Sequence, residues 1–155
     1  SEMCIRDRDI IAYNPKKGFE ITKRLINISN DIVWMPIENM TPEQVKNLLV
    51  DAKLYIDFGN HPGKDRIPRE AAMNGCIVIT NKKGSAHYFE DVPIPNQYKI
   101  EYSLATENQI IDLFKLCFAE YEERIKDFET YRRFIENEEK KFNDDLDNVI
   151  KYCLS

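Results

Sequence analysis

Residues 61–80, HPGKDRIPREAAMNGCIVIT, hold the densest chemistry of the chain. Lys64, Arg66 and Arg69 surround Asp65, Glu70 follows at the start of a short helix, and an apolar strand closes the stretch. Lysine and arginine supply positive charge, and the guanidinium fork grips phosphate oxygens in two places. A carboxylate such as Glu70 accepts hydrogen bonds from hydroxyls, and Gly63 lets the backbone approach a ligand closely. Together they suit an anionic small molecule that carries hydroxyls. Two more loops have the same character: Lys16-Lys17-Gly18 and Lys82-Lys83-Gly84-Ser85.

The surrounding sequence says how these loops come together. DIIAYNP, DIVWMPI, KLYIDFG and CIVIT read as strands, the second of them buried on both faces, and QYKIEY as a fifth, more exposed one. A helix is expected from about residue 16, with Phe19, Ile21, Leu25, Ile26 and Ile28 inward. Thr41-Pro42-Glu43-Gln44 gives an N-cap, a first-turn proline and a glutamine three residues on, so a second helix starts there. A short helix over 68–74 closes on Gly75. Alternation of strand and helix implies an α/β fold: a Rossmann-like parallel sheet with helices on both faces. Ligands of such sheets bind beyond the carboxyl ends of the strands, and the loops rich in lysine, arginine and glycine lie there. A phosphate-bearing small molecule is the ligand class this predicts.

From about residue 106 the pattern is helical only. One strongly apolar helix carries Ile110, Ile111, Phe114 and Phe118. A second, over about 128–152, repeats Phe128, Ile135, Phe142 and Val149, flanked by Leu146 and Cys153, as one narrow stripe. The expected division is 9–105 for the α/β unit and 106–155 for a C-terminal helical extension. SEMCIRDR, residues 1–8, resembles translated adapter sequence, so it is set aside as non-native and the chain is expected to be a C-terminal fragment.

The chain has 155 residues and a net charge of −5, all of it in residues 102–155, where 8 basic face 13 acidic side chains. That tail argues against nucleic acid, whose binding needs phosphate neutralisation. No apolar run reaches the length of a membrane span, so no transmembrane segment is expected. Four dispersed cysteines without C-x-x-C spacing fit reduced thiols in a reducing compartment, hence a cytoplasmic location.

YIDFGNHPGKDRIPREAAMNGCIVIT resembles the donor-binding segment of GT-B glycosyltransferases, above all the large retaining family with the motif E-G-F-G-x-x-x-x-E-A-x-A-x-G-x-P-V-I. Gly63, Glu70-Ala71, Gly75 and Val78-Ile79 fall in register with it. The run GSAHYFEDVPIPNQYKIE is similar to a bacterial subset of glycosyltransferase-like proteins with H-P-G-x-D-R-x-P-R-E-A. The likeness covers about residues 10–102, with 57–80 its specific part.

The resemblance implies one half of a GT-B fold, binding a nucleoside-diphosphate sugar as substrate for transfer to an acceptor it does not identify. No cofactor is implied, and no metal is expected. Glu70 matches the glutamate that holds the nucleotide ribose. The glutamate that touches the donor sugar is replaced by Pro62, which leaves His61, Lys64 or Asp65 for that contact. Lys17-Gly18 matches half of the basic pair at the diphosphate; by their chemistry rather than by the motif, Lys64 and Arg66 stand in for its arginine, and these two are the expected catalytic cations. Gly84-Ser85 corresponds to the glycine-rich turn after the fourth strand. The acceptor site would lie on an N-terminal domain absent from this chain, and the full-length protein would be at most peripheral to the inner face of the membrane.

Other motifs carry less. DDLD at 144–147 lies mid-helix in the acidic tail, DFG at 57–59 lacks the rest of a kinase, and Tyr13-Asn14 stands where a receiver domain needs acids. Two readings stay open: a donor domain, or a non-catalytic α/β domain with a vestigial site and a partner-binding helical tail.

Overall fold

The structure, a computed structural model, describes residues 9–59, 66–82 and 92–154. In chain order these form β1 (Ile10–Tyr13), α1 (Phe19–Asn27), β2 (Val33–Pro36), α2 (Pro42–Asp51), β3 (Leu54–Asp57), α3 (Arg66–Met73), β4 (Ile77–Asn81), β5 (Lys99–Ile100), α4 (Glu107–Ala119), α5 (Tyr121–Arg124) and α6 (Glu129–Leu154). The five strands make one all-parallel sheet in the order β2-β1-β3-β4-β5. This is the Rossmann-like α/β architecture that the sequence implies.

The chain moves from β1 outwards to β2, then back across β1 to β3 and on to β4. Right-handed crossovers therefore place α1 on one face and α2 and α3 on the other. Trp34 of β2 meets Phe114 of α4 edge to face, with ring centroids 5.8 Å apart, so α4 shares the face of α1. β3 and the first four residues of β4 are apolar but for Asp57 and Thr80 and buried throughout, as a central parallel strand must be.

β2 departs from expectation. It is an edge strand, and its burial alternates, with Val33 and Met35 exposed. An apolar run of six residues, Ile32 to Ile37, suits either a central or an edge strand; position in the sheet decides which. β5 also differs. It has only two residues, preceded by a 3-10 turn at Asn96–Tyr98, and its Lys99 is buried. α1 starts at Phe19 rather than near residue 16, because Gly18 takes a left-handed conformation (φ 62°) that ends the preceding turn. α2 starts where expected: Thr41 and Gln44 form the reciprocal capping box, with Pro42 in the first turn.

One hydrophobic cluster runs through the whole fold, from Ile11 and Leu54 in the sheet to Phe114, Phe128 and Ile135 in the C-terminal helices. α4 and the start of α6 thus belong to the same core as the sheet. Beyond Glu138 the side chains of α6 are exposed as far as Leu154, so Phe142, Leu146 and Val149 lie outside the core.

Candidate functional site

The sheet order reverses at β1, and the loops that leave β1 and β3 diverge to opposite faces. That split is where sheets of this order bind ligands. Here the two loops touch backbone to backbone. A Cβ placed on Gly18 would sit inside contact distance of the Phe58 carbonyl and 2.9 Å from the Gly59 nitrogen. A Cβ on Gly59 would lie 3.0 Å from the Lys17 side chain, whose stem crosses above it.

The β3 loop is pinned from below. Asp57, buried at the end of β3, accepts the Gly59 N–H at 3.0 Å and the Tyr55 hydroxyl at 3.2 Å. The Asn81 side chain at the end of β4 donates to the Phe58 carbonyl. Strand register sets Asp57, Thr80 and Lys99 side by side on one face, all three buried. These interior polar groups went unseen in the sequence. The signal for Asp57 was there: an aspartate closing a strand just before a glycine accepts that turn's N–H.

Beside the split, a cleft of about 490 Å³ opens between the N-terminal parts of α2 and α3. That volume is within the usual range for small-molecule sites, about 300–1,000 Å³. Its lining comes from three segments: Asn14 and Lys16 after β1; Ile37, Glu38, Met40 and Val45 from the end of β2 into α2; and Arg66, Ile67 and Glu70 of α3. Arg66 donates to Glu70 across one helical turn at 2.6 Å. The pair is solvent-exposed and contributes little, so a ligand phosphate and hydroxyl can replace it at little cost. Glu70 lies in the second turn of α3, whose first turn holds no acid, so it does not serve the helix dipole as a start-of-helix carboxylate would.

Two of the ten expected site residues, Arg66 and Glu70, meet in this cleft. Gly18 lies at the loop contact just described, where its missing side chain serves packing between loops. Lys17 lies over Gly59, and among the described residues its neighbour Lys16 is the lysine that lines the cleft. Asn14 holds this turn by accepting the Lys16 N–H at 3.0 Å. His61, Gly63, Lys64, Asp65, Gly84 and Ser85 lie outside the described residues. Arg69 turns away from the cleft: it pairs with Glu138 of α6 at 2.7 Å and lies 5.7 Å from the centroid of the Phe134 ring.

No group of three or more potential metal ligands occurs among the described residues, and none of their helices is long and apolar enough to cross a membrane. No protein-family model matches the sequence, and no curated protein matches it.

Proposed function

We propose that the chain is the donor domain of a glycosyltransferase and binds a nucleoside-diphosphate sugar in the cleft beside β1. The observation that carries this reading is the meeting of Arg66, Glu70 and Lys16 in one cleft at the carboxyl edge of a parallel sheet. The resemblance of residues 57–80 to GT-B donor segments agrees with it. Glu70 accepts the ribose hydroxyls. Arg66 and the Lys16-Lys17-Gly18 turn face the diphosphate. As the sugar bond breaks, negative charge grows on the leaving diphosphate, and fixed cations lower that state more than the ground state. Acceptor binding belongs to a second domain, so the chain alone binds nucleotide weakly and transfers nothing.

Titration with UDP, GDP and ADP, followed by amide shifts, tests this. The expected outcome is that one nucleotide moves the resonances of Lys16, Arg66 and Glu70 at millimolar concentration. Glu70→Ala should weaken that binding about tenfold while changing stability by less than about 0.5 kcal/mol. No shift with any nucleotide would remove the reading.

A second reading has its own observation: the bare stripe Phe142, Leu146 and Val149 on α6. It makes the chain a non-catalytic domain whose tail binds a partner protein, and it predicts a silent cleft in the same titration.

A further inference from the structure

The walls of the cleft differ in kind. α3 and the loop after β1 bring the charged Arg66, Glu70 and Lys16; the segment from the end of β2 into α2 brings Ile37, Met40 and Val45, of which Ile37 and Val45 are buried in the core. One acid, Glu38, stands on this largely apolar wall. Its side chain is exposed and makes no hydrogen bond or ion pair among the described residues. Its charge is felt nearby, since burial and then the Glu38 carboxylate raise the Tyr13 hydroxyl above its ordinary pKa. The loop that carries it is held at both ends. Ile37 donates its N–H to the Tyr13 carbonyl at 2.7 Å, and the Thr41–Gln44 capping box fixes the far side. Between them Asn39 takes a left-handed conformation (φ 53°).

We infer that this wall of the cleft forms the base pocket of the proposed donor site, and that Glu38 makes it select guanine. The inference rests on the donor reading and adds the base, which neither the sequence nor the resemblance supplies.

Apolar walls suit the faces of any base, so selection falls to the edge. A carboxylate only accepts hydrogen bonds, and it does so with two oxygens side by side. Guanine offers two adjacent donors, N1–H and the 2-amino group, and so pairs with both. Uracil offers N3–H flanked by two carbonyls, which a carboxylate repels. Adenine sets its 6-amino group beside the N1 lone pair, and one oxygen of Glu38 would face that lone pair. Because the pairing is charge-assisted, its loss is large enough to measure.

The test is amide-shift titration of the full chain with GDP, IDP, UDP and ADP. IDP keeps N1–H and lacks the 2-amino group, so it removes one of the two hydrogen bonds. GDP should bind about tenfold more tightly than UDP or ADP, with IDP between them. Glu38→Gln, at an exposed position, should keep the amide spectrum of a folded chain and bring GDP down to the level of UDP. If UDP or ADP binds as well as GDP, or Glu38→Gln leaves the GDP to UDP ratio unchanged, guanine selection by Glu38 is overturned and the donor reading stands. If no nucleotide moves Lys16, Arg66 or Glu70, both fall together.

Discussion

Gly18 shows how one residue can be marked by sequence for one task and used for another. It belongs to the Lys17-Gly18 pair that resembles a diphosphate contact, yet its φ of 62° and its seat against the Phe58 carbonyl already require glycine. Gly18→Ala adds left-handed strain to an overpacked contact with main chain, which cannot move aside. We expect it to lower stability by about 2–4 kcal/mol in a urea titration. Gly59→Ala meets the flexible Lys17 side chain instead and should cost less than half as much. Equal losses would show that the loops do not meet as described. Arg66 and Glu70 share one side because α3 starts at Arg66, two residues before the helix expected over 68–74, and residues four apart in a helix are neighbours. The choice between Lys16 and Lys17 was not. Adjacent residues in a turn point in different directions, and only the start of α1 at Phe19 settles which one faces the cleft.

Among the elements, the helices and the inner strands could be read from the sequence because their signals are local: the capping box of α2, Gly75 with its φ of 89° after α3, and the apolar runs of β3 and β4. The exposed side of β2 could not, since it depends on which strand has no neighbour. Nor could the link between α1 and α4, two helices some eighty residues apart in sequence. Arg24 donates to both carboxylate oxygens of Glu107 at 3.1 Å, and the Tyr102 hydroxyl donates to Glu107 at 2.7 Å. Those hydrogen bonds, from Arg24 and then Tyr102, hold the Glu107 carboxyl below its ordinary pKa of 4.5. A carboxyl lowered on folding stabilises the fold above its unfolded pKa, and that contribution fades as pH falls through its folded value. Glu107→Gln should therefore lower the urea midpoint at neutral pH. The gap between variant and wild type should close progressively below about pH 4.5. A gap that stays constant with pH would mean that Glu107 acts through packing alone.

For the whole molecule, the question is whether the sheet and the C-terminal helices fold as one body or as the separate stretches 9–105 and 106–155 that a change of pattern near residue 106 suggests. Two thiols report on this. Cys76, just before β4, is fully buried and donates to the Leu49 and Ala52 carbonyls at 3.0 and 3.3 Å. Cys117 on α4 is equally buried, and burial, the largest influence, pushes its pKa up to about 11. It is therefore a neutral thiol at physiological pH and unreactive while the core is closed. Cys153, in the exposed part of α6, has no such protection. In a Cys4→Ser background one thiol should react at once with a chromogenic disulfide reagent, and two should react slowly. A shared core requires more: Cys76 and Cys117 must become reactive at one common rate, accelerated equally by urea, because opening either face exposes the cluster that joins them. If Cys117 reacts much faster than Cys76, α4 opens by itself and the chain is two cooperative units. The bare half of α6 cannot blur the outcome, since its apolar side chains contribute nothing to either environment.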